Sequence, residues 1–195
     1  NGTLEVTAVT DEHKHEAVVQ APSNSATYEG KAKSAGTELT GTTFQWNGQT
    51  YTIEGLTSAN VTKTDAGEYE NKVNGTAKVL DAAGNDVTAQ FKVTKKSGKL
   101  TIKKRQVTLT SSDAKKEYDG TALTKDEVQV TSGSFADKEG YTATTSGSQT
   151  LVGKSANTFK YTLNEGTKAA NYEIKTVNGT LEVTAVTDEH KHEAV

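Results

Sequence analysis

Along most of the chain, apolar residues alternate with polar ones, the period of a strand with one buried face. FQWNGQTYTI, residues 44–53, sets Phe44, Trp46, Tyr51 and Ile53 on one face of two short runs joined by Asn47-Gly48. An Asn-Gly pair between alternating runs is a strong hairpin signal. VTAQFKV predicts a strand with Val87, Ala89, Phe91 and Val93 on one side, and Leu100 and Ile102 continue the pattern. Further on, Val107 and Leu109, Val128 and Val130, Phe159, Tyr161 and Leu163, Tyr172 and Ile174, and Leu181 and Val183 form matching sets. No window carries a long helical period. Short strands with regular turns predict an all-β sandwich or barrel.

The chain repeats itself. Residues 1–18 read NGTLEVTAVTDEHKHEAV, and residues 178–195 read the same. The register between them, from Asn1 to Asn178, is 177 residues. A solenoid unit spans only about 20–50 residues, so a repeat of this length predicts a pair of domains. KSGKLTI ahead of Lys104 parallels VNGTLEV at 177–183, each a glycine turn before a closing strand. ATYEGKA at 26–32 and KEYDGTA at 116–122 open the two halves alike. The expected organisation is therefore residues 1–9 as the closing strand of a preceding repeat and 10–104 as module one. Residues 105–186 form module two, and 187–195 begin the next copy. We expect the chain to be an excerpt of a longer array, with adjacent copies of the repeat as neighbours.

Composition narrows the class. Hydrophobic residues make up 32% of the chain, against a usual ~45–50% for a slightly different apolar set; that fits thin β modules better than a compact enzyme. Net charge is −3, too mild to steer nucleic acid or a membrane surface. No apolar run approaches the ~20 residues of a membrane span, so no membrane insertion is expected within these residues. Cysteine is absent, which excludes disulfides, thiolate metal sites and thiol nucleophiles. A cysteine-free secreted chain suits a Gram-positive bacterium better than a eukaryote.

Two motifs point further. Asp65-Ala66-Gly67-Glu68-Tyr69 resembles the D-x-G-x-Y of immunoglobulin-like sandwiches, in which the Tyr hydroxyl bonds to upstream backbone at a strand corner. Asn71 stands where antibody domains carry the second cysteine. Then YEG and YDG near the module starts, DAGEY or LVG before a later strand, and NYEI followed by NGTLEV form a set. Residues 147–183, GSQTLVGKSANTFKYTLNEGTKAANYEIKTVNGTLEV, carry it most fully. The set resembles the MBG/YDG-type repeats of Gram-positive cell-wall-anchored surface proteins. The resemblance covers nearly all of module two and, more weakly, module one. It implies two tandem immunoglobulin-like β-sandwich modules in an extracellular stalk anchored to the wall through other regions of the protein. It brings no catalytic residues. The fold alternative is a pair of β-grasp modules, which a helix across the sheet would reveal.

Candidate chemistry is sparse. His13 and His15 lie two apart in DEHKHE, so on a strand they face one side and are weak candidates for a shared metal; the leading reading is an exposed connector between modules, with no metal expected. From Val87 to Ser112 there is no acid but seven basic residues, Lys95, Lys96 and Lys99 among them. They are either a strip for acidic glycans or lysines that keep exposed strand edges from pairing. Trp46 and Tyr51 are the best candidates for an exposed ligand surface. YTLNEGTKAANY at 161–172 resembles the E-box of pilin-like domains, in which a buried Glu promotes a Lys–Asn crosslink; Glu165 is the residue to watch, and a solvated turn is the other reading. Asn1, Asn60, Asn74 and Asn178 begin N-x-T triplets, read as turns. No Ser/His/Asp set, phosphate loop or paired catalytic carboxylate is present, and no enzyme activity or cofactor is expected. The expected function is a structural stalk or spacer of a surface adhesin or fibre. The alternative is a repeated weak binder of host mucin, glycan or immunoglobulin, gaining avidity along the array.

Overall fold

A computed structural model describes residues 14–186. The expectations for the strand at 1–9, for the stretch from 187 and for His13 lie outside the described residues. Among those described, the chain is strand and loop, and helix is confined to the 3-10 turns Thr88–Gln90 and Ala169–Asn171. The helix that a β-grasp requires is not among them. The all-β sandwich class expected from the alternation is the class observed.

The chain divides into two compact units. Among the described residues, unit 1 holds 14–26 and 31–103, and unit 2 holds Thr27–Gly30 together with 104–186. The first stretch of strands is β1 (His15–Gln20), β2 (Asn24–Thr27), β3 (Lys33–Ser34), β4 (Thr43–Trp46) and β5 (Gln49–Ser58). It continues with β6 (Thr62–Lys63), β7 (Gly67–Asn71), β8 (Val73–Leu80), β9 (Phe91–Lys96) and β10 (Gly98–Lys103). Then follow β11 (Arg105–Ser111), β12 (Ala114–Glu117), β13 (Val128–Gly133) and β14 (Tyr141–Thr145). The last are β15 (Gly153–Asn157), β16 (Phe159–Leu163), β17 (Tyr172–Val177) and β18 (Gly179–Thr184).

Both units thread one frame. In unit 1, β1 runs parallel to β9, and β10 lies between β2 and β7. In unit 2, β11 runs parallel to β17, and β18 lies between β12 and β15. The opening and closing segments thus each contribute to one sheet and then to the other. The glycine that starts each last strand marks this crossing. A Cβ on Gly98 would lie 2.0 Å from the Pro22 carbonyl oxygen and 2.5 Å from that of Ala21. On Gly179 it would lie 2.3 Å from the Ser111 carbonyl oxygen. Only a residue without a side chain lets the backbones approach so closely. The glycines of SGKL and NGTL are therefore buried crossing points rather than the tips of turns.

The predicted hairpin forms as read. Phe44 pairs with Tyr51 across β4 and β5, and Asn47 and Gly48 take φ of 49° and 74°, the double left-handed step of a type I′ turn. Two readings are corrected. Residues 87–93 are not one strand: Asp86 Oδ1 accepts from the Thr88 N–H at 3.0 Å and its hydroxyl at 2.6 Å. That local side-chain bonding competes with the ladder, the backbone winds into a 3-10 turn, and Ala89 is exposed while the strand starts at buried Phe91. Asn74-Gly75 is not a turn but lies inside β8, where the pairing with β5 shifts register at Glu54/Leu56, a bulge.

The unit 1 core gathers Val19, Ile53, Val79 and Phe91, with Phe44, Trp46 and Leu56 packed against it. In unit 2, Val107, Leu109, Leu181 and Val183 are fully covered.

Candidate functional site

The D-x-G-x-Y corner is built as its sequence suggests. Asp65 supplies its carbonyl oxygen, which accepts the Tyr69 hydroxyl at 3.0 Å. Gly67 lies beneath that hydroxyl, where a Cβ would meet it at 2.9 Å. Tyr69 is half-buried, with Lys63 Nζ 5.5 Å from its ring centre.

Asn71, two residues on, is fully buried. Its amide donates to the Pro22 carbonyl at 3.0 Å and to Ser58 Oγ at 2.9 Å. Its Oδ1 accepts from the Val61 N–H at 3.2 Å. A polar pin thus crosses the sandwich where antibody domains carry a disulfide. Asn157 is its counterpart in unit 2, also fully buried, donating to the carbonyls of Ser112 and Lys125 at 2.9 Å each. Each Asn pairs across the ladder with the crossing glycine, Asn71 with Gly98 and Asn157 with Gly179. Sequence reading missed Asn157 and this pairing; the shared G-x-x-x-N of GEYEN and GKSAN, residues 67–71 and 153–157, was the available signal.

The proposed ligand aromatics turn inward. Tyr51 is buried and Trp46 half-buried. With Phe44, Phe91 and His15 they form one cluster, Tyr51–Phe91 at 4.8 Å, Trp46–Phe91 at 5.5 Å and His15–Trp46 at 5.7 Å between ring centres. Stacked and edge-on rings at these separations are mutually attractive. His15 is therefore an aromatic lid over Phe91, and among the described residues no set of three or more His, Cys, Asp or Glu is arranged to hold a metal.

The lysines are engaged at the sheet margin rather than gathered into a basic groove. Lys99 Nζ pairs with Glu68 at 2.8 Å, Lys95 donates to the Gly75 carbonyl, and Lys96 is exposed at the end of β9. Glu165 is exposed in its turn, as is Asn178, so the buried carboxyl that an intramolecular crosslink demands is not at Glu165. Asn60 is a structural residue: with φ of 49° it accepts from the Gly36 N–H at 3.2 Å and from the Ser34 hydroxyl.

One cluster in unit 2 had no sequence signal. Glu139 accepts two tyrosine hydroxyls, Tyr28 on one carboxylate oxygen and Tyr172 on the other at 2.7 Å. The Tyr172 hydroxyl in turn accepts the Ala136 N–H at 2.9 Å, and the two rings meet edge to face at 5.5 Å. Burial first, with Glu139 adding to it, pushes the Tyr172 phenol up to about 12. A sequence separation of 111 residues between Tyr28 and Glu139 hides this pairing from any local pattern. In the matching YDG loop, Lys116 Nζ donates to Asp119 at 2.7 Å and to the Thr121 carbonyl at 2.8 Å. That Lys, with the Thr121 N–H and hydroxyl, holds the Asp119 carboxyl well below the usual carboxylate range.

Depressions among the described residues are open and shallow. One of about 480 Å³ is bordered by Lys115, Lys154 and Glu182, each lysine pairing with Glu182 at 3.6 Å. No family model, curated protein or solved structure matches the chain.

Proposed function

We propose that the chain is one repeat of a structural stalk or spacer in a bacterial surface adhesin or fibre, without catalytic activity. The observation that carries this reading is the 18-residue identity at a register of 177, which makes two sandwich units the period of an array. The inward set of Trp46 and Tyr51 supports it, because a binder would present its large aromatics on the surface. The motifs YEG, YDG, LVG and NYEI…NGTLEV support placing it with the MBG/YDG-type repeats of Gram-positive wall-anchored proteins, outside the cell. In such an array each module contacts mainly its neighbours, and length is the product.

Chains of one, two and four consecutive copies test the reading. Small-angle scattering should give a maximum dimension that grows in proportion to copy number. The same chains should be retained no better on immobilised mucin, sulfated glycan or immunoglobulin as copies are added. Saturable retention that strengthens with copy number would instead establish the binding module.

A further inference from the structure

Asn-Gly pairs stand at residues 1–2, 47–48, 74–75 and 178–179, and the last three lie among the described residues. The pair has a chemistry of its own. The backbone nitrogen of the Gly can attack the side-chain amide carbon of the Asn before it, and no Cβ obstructs the approach. A bond forms between that nitrogen and Cγ, the Cγ–Nδ2 bond breaks, and ammonia leaves with the proton of the Gly N–H. Water then opens the five-membered succinimide at one of its two carbonyls. One opening gives Asp. The other gives isoaspartate, whose main chain runs through the side-chain carbons and is longer by a methylene.

The attack needs an Asn peptide free to swing and a Gly nitrogen not held elsewhere. The fold treats the three pairs differently on both counts. Asn178 is exposed, but the Gly179 N–H donates to buried Ser111 Oγ at 2.9 Å, and the Gly179 backbone is pressed against the Ser111 carbonyl. Asn74 is exposed too, but it lies inside β8, opposite Thr57 of β5, with Gly75 opposite Leu56. A Cβ on Gly75 would meet the Gly55 carbonyl oxygen at 2.1 Å, so the two backbones already touch. Swinging either peptide breaks a ladder.

Asn47 is placed otherwise. It and Gly48 form the exposed tip of the hairpin and belong to neither flanking strand. A Cβ on Gly48 would meet nothing within 4 Å, so the nitrogen side of the peptide has room to move. Asn47 holds a φ of 49°, a left-handed conformation that an L-residue adopts at a cost, and its exposed side chain gives up no packing on leaving it.

We propose that Asn47 is a site of spontaneous covalent modification, converting through a succinimide to Asp and isoaspartate with water as the only co-reactant, while the sheet protects Asn74 and Asn178. The two products differ in what they do to unit 1. Asp-Gly suits a type I′ turn as Asn-Gly does, so the Asp product keeps the hairpin and adds a negative charge. Isoaspartate lengthens a two-residue turn, and Trp46 no longer falls opposite Gln49. Trp46 packs edge-on against Phe91 at 5.5 Å, so the longer turn loosens that side of the unit 1 core. Unit 1 thus ages by a route that unit 2 lacks among its described residues.

The test follows the 195-residue chain in heavy-oxygen water at mildly alkaline pH and body temperature. Peptides spanning the three pairs are read by mass spectrometry. Asn47 should gain the mass of an amide-to-acid change, with heavy oxygen incorporated, at least about tenfold faster than Asn74 or Asn178, which react only through local opening. An isoaspartyl methyltransferase with a labelled methyl donor should mark the Asn47 peptide. In urea above both unfolding transitions the three rates should converge. The aged chain should show a lower urea midpoint for unit 1 alone and stronger acrylamide quenching of Trp46, its single tryptophan. Asn47→Gly keeps a turn-competent pair and should abolish both the labelling and the age-dependent loss. Equal rates at the three pairs in the folded chain, or faster conversion at Asn74 or Asn178, overturn the protected-and-open distinction. A unit 1 that weakens as much in aged Asn47→Gly overturns the assignment of the loss to Asn47.

Discussion

In unit 1 the strand that ends on Asn71 carries Tyr69 two residues earlier; in unit 2 the strand that ends on Asn157 carries Ser155 there. Tyr69 reaches the Asp65 carbonyl, whereas Ser155 reaches only the Ser148 carbonyl, at 3.2 Å. Unit 1 fills its interior with a cluster of five rings, while unit 2 leaves Leu151 and Val152 outside. Yet the parallel first strand, the buried Asn and the crossing Gly recur in both. The frame therefore depends on backbone-level devices, a glycine where two chains touch and an amide that ties the sheets. The tyrosine corner is an addition that one unit has and the other does without, while each unit carries an aromatic cluster of its own.

Substitutions at the shared devices should have the largest effects. Gly98→Ala and Gly179→Ala each force a Cβ into backbone and should cost their own unit about 3 kcal/mol or more, with the other unit's unfolding transition in urea unmoved. Tolerance at one site and collapse at the other would break the equivalence of the frames. Asn71→Ala should cost about 2–3 kcal/mol, because it strands several buried groups. Asn157→Ala should cost less, since its Oδ1 has no hydrogen-bond partner among the described residues. Equal losses in chemical denaturation would show that this difference in bonding is immaterial.

The smaller tests concern the additions. Tyr69→Phe removes one hydroxyl bond and should cost unit 1 about 1 kcal/mol, visible as a lower midpoint for that unit alone. In unit 2, the Tyr172 phenol is raised to about 12 by burial, with Glu139 beside it. The unfolded phenol ionises near pH 10 and the folded one resists. The stabilising contribution is therefore complete below about pH 10 and lost as pH climbs toward about 12. Tyr172→Phe should flatten that part of the stability profile. An unchanged alkaline loss in the variant would assign it to other groups, such as Tyr141, whose phenol burial also raises.

Local pattern told most where local forces decide. The Asn47-Gly48 hairpin needs only two residues with positive φ and alternating flanks, so it was readable. Tyr69 was readable because its partner Asp65 is four residues away. Ala89 was misplaced because the side chains of Asp86 and Thr88 outcompeted the ladder, which period-two counting does not weigh. Asn71 was noticed for the cysteine it replaces, but its partners at Pro22 and Ser58 lie in other strands' neighbourhoods. The Tyr28–Glu139–Tyr172 cluster joins three distant stretches, and nothing in any one of them announces it.

The parallel pairing of opening and closing strands has a mechanical meaning. In unit 2, β11 matches β17 over six positions and β12 matches β18 over four. Parallel neighbours at the two ends of a unit mean that tension on the chain drags them in opposite directions along their shared axis. The cross-strand hydrogen bonds are then loaded in shear, together, instead of being peeled one at a time as in a hairpin pulled from its open end. Rupture under load is governed by the unfolding barrier rather than by equilibrium stability. A unit of modest thermal stability can thus be stiff along its length, and single-molecule pulling should show one high-force event per unit with no gradual unzipping.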